Sequence, residues 1–374
     1  MNKMKYVLIT GSDGFIGKNL KVALRRKSNV EILEYKSTSS EEELEKGLLK
    51  ADIIYHLAGV NRTTNNEDFM KVNCNLTQKI CDYLIKLDKN PKIVFTSSIQ
   101  ANIDNPYGRS KLMAEKTIMN YSNNSRSPVF IFRLHGVFGK WCKPNYNSVV
   151  STFCNNIARG LPINISDPQK QIELVYIDDV LRAFLGILDD CIPPSDGLYF
   201  MAEPIEKISL GSLSKIIQSF FDSRSNRSLP NINSHFNRSL YATYISCLPT
   251  NSFSYELTKK SDPRGVLAEL LKSSDIGQIF VSRTKPGFKR GEHYHDTKVE
   301  KFVVLEGDAM IRFRHIFEKN IIEYPVSGHQ FRVVDIPPGY THSIENIGRR
   351  DLIVLFWADE VFNPDMADTI GLKV

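Results

Sequence analysis

The chain has 374 residues, 42% of them apolar and 24% charged, with a formal net charge of +6. These values exclude disordered and fibrous classes and point to a soluble globular protein of more than one domain. The positive charge forms no basic block, which argues against nucleic acid as a partner.

No apolar run approaches membrane-spanning length, and no signal h-region opens the chain. Cys74, Cys81, Cys142, Cys154, Cys191 and Cys247 form no C-x-x-C pair, so reduced thiols in a cytoplasmic enzyme are expected. An apolar, β-branched run over residues 6–10 stops at Gly11. Gly14 and Gly17 follow at the same interval, and Phe15, Ile16 and Leu20 open an amphipathic run. The pattern reads strand, glycine turn, helix. Backbone without a Cβ can approach a pyrophosphate, and the N–H groups of the helix start can receive it. Gly11, Ser12, Asp13, Gly14, Phe15, Ile16 and Gly17 are therefore candidate cofactor contacts.

Residues 30–35 read as a second strand. An acidic residue at its end favours a free ribose, and a basic one favours the extra phosphate of NADP. Glu34 is followed by Lys36, with Arg25 and Arg26 upstream, so these residues alone leave NADPH against NADH open. A helix is expected over 41–49, and a buried strand over 52–60 ends in Leu57, Ala58 and Gly59. A helix is expected over 68–87, and a strand with a polar end over 92–98. Small residues at a strand end admit a bound ring. Alternating strands and helices imply a doubly wound parallel sheet, whose ligands lie beyond the carboxyl ends of the strands. Gly11, Gly59 and Ser98 stand at such ends.

Asn105 can cap a helix with Pro106 at its first position, which puts Tyr107 and Lys111 on one face. The Lys111 ammonium is expected to favour ionisation of the Tyr107 phenol. A phenol so tuned exchanges a proton with a sugar oxygen, while Ser98 hydrogen-bonds the same oxygen. Residues 163–222, with a helix over 210–221, read as a smaller substrate lobe, and 223–237 as a connecting segment. The division is placed at 1–247 and 248–374.

From residue 277 onward, short alternating runs with glycine and proline turns indicate an antiparallel barrel. His293 and His295 share one face of a strand. Glu300 and His342 complete a set of three imidazoles and a carboxylate, which suits zinc or a similar divalent ion. His315 and His329 read as ordinary barrel or loop histidines.

Residues 1 to about 245 resemble an extended short-chain dehydrogenase/reductase. The motifs are Gly11-x-x-Gly14-x-x-Gly17, Leu57-Ala58-Gly59, Thr96-Ser97-Ser98, Tyr107-x-x-x-Lys111 and Tyr176-Ile177-Asp178-Asp179-Val180. The resemblance implies a nucleotide-sugar substrate, with Ser98, Tyr107 and Lys111 catalytic. It makes Arg133, Lys140 and Asn145 candidates for the nucleotide diphosphate. Two departures are the short interval from Ser98 to Tyr107 and Gly136 where the family commonly has asparagine. The C-terminal half resembles the cupins through Gly287 to Gly307 and Pro337 to Asn346, although Gly328 lies further upstream than usual. Arg290-Gly291-Glu292-His293 also resembles the motif of deoxysugar 3,5-epimerases, where the histidine is a base without a metal.

The whole chain resembles bifunctional capsule-biosynthesis enzymes that fuse these two parts; it has their SSIQA, DNPYG, FGKWCKPNYNS and GYTH stretches. The resemblance implies that the cupin epimerises carbon 3 of a UDP-2-acetamido-2,6-dideoxy-4-ketohexose. The reductase then reduces the 4-ketone with NADPH, giving UDP-2-acetamido-2,6-dideoxy-β-L-talose, a precursor of N-acetyl-L-fucosamine. It also implies zinc in the cupin and a homodimer. Two rivals remain: a non-catalytic NAD(P)- and sugar-binding sensor, and a 4-epimerase or dehydratase with an accessory cupin. A sensor would be expected to lose the tyrosine–lysine pair. A dehydratase would want an acid beside Ser98, where Ile99 and Gln100 stand.

Overall fold

The computed structural model describes residues 3–374. The chain forms two compact units, Met1–Gln218 with Ile232–Thr250 and Ser219–Asn231 with Asn251–Val374.

In the first unit, β1 (Lys5–Thr10), β2 (Val30–Tyr35), β3 (Ile53–His56), β4 (Lys92–Ser98) and β5 (Val129–Leu134) are parallel. A second sheet holds β6 (Gly136–Phe138), β7 (Gln171–Tyr176) and β9 (Ile205–Ser209), while β8 (Tyr199–Phe200) joins the first. The first sheet runs β2-β1-β3-β4-β5-β8, so the chain reverses its order beside β1, where ligands of such sheets bind. The helices are α1 (Phe15–Leu24), α2 (Glu41–Lys50), α3 (Leu76–Lys86), α4 (Pro106–Ser125), α5 (Val149–Ile157), α6 (Ile177–Leu188), α7 (Leu210–Asn226) and α8 (His235–Ser246). The sheet separates two apolar clusters, one built on Leu20, Phe132 and Phe184, the other on Leu48, Leu84 and Ile118.

Local chemistry fixes several helix starts. Ser40 and Glu43 form a reciprocal capping box for α2. Asn105 accepts from the Gly108 amide at 2.7 Å, with Pro106 in the first turn of α4.

Two local expectations need correction. The helix expected over 68–87 opens as a π-helical segment, Phe69–Asn75, before α3. The wider turn lets Asn73 bond both Val60 backbone groups (2.9 and 3.0 Å) and the Ser110 hydroxyl (2.9 Å). The connecting segment expected over 223–237 is also shorter, because α7 runs on to Asn226 and α8 opens at His235. Leu213, Ile217 and Phe220 repeat at helical spacing and are fully buried, which outweighs the polar composition of the last turn.

The named strands of the second unit pair antiparallel. Its strands are β10 (Lys259–Asp262), β11 (Gly265–Ser273), β12 (Gly277–Thr284), β13 (Lys289–Tyr294), β14 (Glu300–Glu306), β15 (Asp308–His315), β16 (Ile321–Ser327), β17 (Val333–Ile336), β18 (Tyr340–Asn346), β19 (Leu352–Ala358) and β20 (Ile370–Gly371). One sheet runs β10-β11-β12-β19-β14-β17 and the other β16-β15-β18-β13-β20. Alternate residues of both, among them Phe302, Val354 and Phe356 from the first and Ile311, Phe313 and Ile344 from the second, form one core.

Candidate functional site

The first candidate site lies at the carboxyl ends of β1, β3 and β4. Gly11 adopts a left-handed φ of 70° there. A Cβ on Gly11 would stand 2.8 Å from the Ala58 backbone, and one on Gly17 would stand 2.4 Å from the Gly11 carbonyl. The turn therefore closes tightly on itself and on Leu57-Ala58-Gly59. A Cβ on Gly59 would in turn come within 3.2 Å of Lys111 Nζ. The side chains that the motifs single out are thus neighbours in space.

Tyr107 packs on Phe69 at 5.7 Å between ring centroids, and Ser98 lies near enough to act on its phenol. Lys111 is buried and donates to the Thr96 carbonyl at 2.9 Å. The expected ionisation of Tyr107 by Lys111 needs correction. Burial raises the phenol's pKa and the neighbouring Ser98 hydroxyl offsets part of the rise; Lys111 is not among the groups acting on it. The larger effect falls on Lys111 itself. Burial brings its ammonium down to about 8, against the opposing pull of Glu115. His56 lies buried between the hydroxyls of Thr10 (2.7 Å) and Thr77 (2.9 Å), and burial together with Lys111 lowers it to about 3, so it stays neutral.

Glu34 accepts from Ser12 at 2.9 Å and Lys21 at 2.8 Å, with Lys36 Nζ at 3.5 Å. Lys36 also lies 3.6 Å from Asp13. The Lys21 hydrogen bond holds the Glu34 carboxyl below its ordinary value. Arg25 and Arg26 follow the last turn of α1, roughly 15 Å along the helix from the glycine turn, and take no part in this cluster.

Arg133 is not a free anion receptor. Its guanidinium donates to Glu115 twice (3.0 and 2.7 Å), to Asn102 and to Tyr199, and lies 3.7 Å above the Tyr199 ring. Sequence reading missed Glu115, whose position four residues after Lys111 on one face of α4 was the available signal. Lys140 lies 3.4 Å from Asp178, and its carbonyl accepts from Asn19 at 3.1 Å. Asn145, at a φ of 54°, donates its amide to Thr152 at 3.0 Å.

The second candidate site lies in the antiparallel unit. His293 is on β13, His295 directly follows it, Glu300 opens β14 and His342 is on β18. Their ligand atoms all lie within 4.8 Å of one another. His295 Nδ1 donates to the Asp368 carbonyl, which orients the ring and turns Nε2 toward Glu300, 3.4 Å away. Nε2 of His295 and of His342 are buried without a hydrogen-bond partner. Burial and the two neighbouring imidazoles bring His293 down to about 4, so it is neutral, the form that binds metal. Burial raises the Glu300 carboxyl, but His295 and His342 outweigh it and hold it well below the carboxylate range. Unpartnered buried imidazole nitrogens beside a carboxylate are a donor set that fits a divalent metal such as zinc. Lys298, buried 3.9 Å from Glu300, and Asp368, which accepts the amides of Asp296, Thr297 and Lys298 at 2.8 Å each, escaped sequence reading. They carry no local motif.

Residues 7–195 match the NAD dependent epimerase/dehydratase family, and residues 260–370 match the polysaccharide biosynthesis C-terminal domain. UDP-2-acetamido-2,6-beta-L-arabino-hexul-4-ose reductase of Pseudomonas aeruginosa is 41% identical over 368 residues, covering 98% of each chain. This chain belongs to that reductase's family. The capsular polysaccharide assembling protein CapF of Staphylococcus aureus superposes on this member with a TM-score of 0.93 and 43% identity, over 98% of this chain and 100% of CapF. UDP-glucuronic acid 4-epimerase of Bacillus cereus, 18% identical, covers 65% of this chain at a TM-score of 0.54 and shares the fold of that part. The family's N-terminal part implies a nicotinamide cofactor, and the tight Gly11–Gly17 turn fits its diphosphate. Among the described residues, no helix is long and apolar enough to cross a membrane.

Proposed function

We propose that this chain converts a UDP-2-acetamido-2,6-dideoxy-4-ketohexose in two steps toward a surface polysaccharide. The reductase part, residues 1–247, reduces the carbon 4 ketone. The remainder, 248–374, is a cupin-type barrel that epimerises carbon 3. The observation that carries the reading is the Ser98–Tyr107–Lys111 constellation beside the glycine turn. The 41% identity to the Pseudomonas aeruginosa reductase supports the substrate class. NADPH, when bound, supplies the hydride to carbon 4. Tyr107, kept protonated by its burial, donates its proton to the carbonyl oxygen, and Ser98 hydrogen-bonds the same oxygen. Lys111 stays charged below about pH 8 and, beside Gly59 at the glycine turn, is the cation that would hold the cofactor. Lys36 would hold the extra phosphate of NADPH, with Glu34 already paired to Lys21. Lys140 and Asn145 lie on the loop assigned to the nucleotide diphosphate.

A 4-ketone acidifies the hydrogen on carbon 3, so epimerisation precedes reduction. Zinc held by His293, His295, Glu300 and His342 would tie three strands and a loop together, since four protein ligands leave no open position. The product is UDP-2-acetamido-2,6-dideoxy-β-L-talose, and the enzyme is a cytoplasmic homodimer. The test is incubation with the UDP-4-ketosugar and NADPH. Loss of reduced-nicotinamide absorbance together with deuterium uptake at carbon 3 supports the reading, and unchanged absorbance overturns the reductase assignment.

A further inference from the structure

We propose that Glu115 is a positioning residue of this reduction, a carboxylate that holds Lys111 charged and sets the Ser97–Ser98 strand end against Tyr107. The proposal rests on the reductase reading above. Glu115 lies four residues after Lys111 and eight after Tyr107 on α4, so the three share a face. Its side chain is 0% exposed. It accepts from the Ser97 hydroxyl on β4, from Arg133 Nε (3.0 Å) and Nη2 (2.7 Å) on β5, and from the Tyr199 hydroxyl (3.2 Å) on β8. Arg133 alone would satisfy a buried carboxylate. The additional Ser97 contact fastens the residue next to Ser98, so one side chain joins the helix carrying Tyr107 and Lys111 to the strand carrying Ser98.

The groups facing Lys111 are Glu115 on its own helix, Cys74 on the π-helical segment and His56 on β3. Nζ donates to the Thr96 carbonyl and lies 5.2 Å from the Phe95 ring centroid. His56 is neutral, and burial pushes the Cys74 thiol up. The negative charge that opposes desolvation of the ammonium is therefore that of Glu115, paired with Arg133.

The experiment follows kcat/KM for ketone reduction against pH in the full chain. In Glu115→Gln, the alkaline limb is expected about one pH unit below wild type, with carbon 3 exchange unchanged. Removing one partner of a buried ion pair endangers folding, so Glu115→Gln/Arg133→Met is made beside it, since neutral replacement of both partners is better tolerated. Its limb is also expected below wild type, and Glu115→Asp is expected to recover part of the shift. A wild-type limb in both glutamine variants, with kcat lowered equally at every pH, overturns the proposal and leaves Glu115 a purely structural residue. A wild-type enzyme that fails to oxidise NADPH defeats the reductase reading instead, before any variant is compared.

Discussion

Lys111 and His295 are both buried titratable groups, and the two units hold them by different means. Lys111 sits where parallel strands end. Its neighbours are a backbone carbonyl, a helix-borne carboxylate and the glycine edge of a loop, contributed by segments from Gly59 to Glu115. His295 sits among antiparallel strands, one ring nitrogen fixed by the Asp368 carbonyl and the other turned toward Glu300. In the first unit, burial lowers the pKa of an ammonium. In the second, it leaves imidazole nitrogens without a hydrogen-bond partner beside a carboxylate. A buried cation thus marks electrostatic tuning, whereas clustered histidines with unpartnered nitrogens mark ligation.

The sharpest break between the units should come from Tyr107→Phe. Loss of the phenolic proton is expected to lower NADPH oxidation about a thousandfold while deuterium exchange at carbon 3 persists. Equal loss of both activities in a folded variant would contradict the division of labour. Next in size, His295→Ala should empty the metal site, measured by metal analysis, and cost about 2.7 kcal/mol, the linkage from a ligand present at a hundred times its Kd. Reduction should survive. Full metal content in the variant would refute the ligand assignment.

A pH series sharpens the comparison further. Lys111 acts as a cation, so kcat/KM for reduction should be level just below about pH 8 and fall tenfold per unit above it. Tyr107, raised by burial, remains protonated through that range. The effect of Lys111 on stability has the opposite sign. Its folded pKa lies below the ordinary 10.5, so between about 8 and 10.5 the unfolded chain binds more protons. The Lys111 contribution to stability therefore rises with pH across that window, which denaturant titrations of wild type and Lys111→Met would compare. The smallest effect is expected from Lys36→Ala. This half-exposed lysine should contribute only several-fold to preference for NADPH over NADH. An unchanged ratio of efficiencies would move phosphate recognition elsewhere.

Much of this was legible in the chain itself. Gly11-x-x-Gly14-x-x-Gly17 and Tyr107-x-x-x-Lys111 are local patterns; the first marks the turn into α1 and helix periodicity puts the second pair on one face, whereas His295, expected on the strand face of His293, falls just past the end of β13. The change from strand–helix alternation to short alternating runs separated the parallel from the antiparallel part for the same reason. What local spacing could not supply was the partner of each charge. Arg133 read as an anion receptor until the fold put it against Glu115, eighteen residues away in sequence and on another element. Lys111 read as an influence on Tyr107 until burial and the Thr96 carbonyl fixed its ammonium. Asp368 had no motif, yet it orders the loop between two candidate ligands from seventy residues away. Periodicity is written in neighbouring residues, so sequence determines which face a side chain takes. Desolvation and ion pairing depend on what covers that face, and only the tertiary structure decides that.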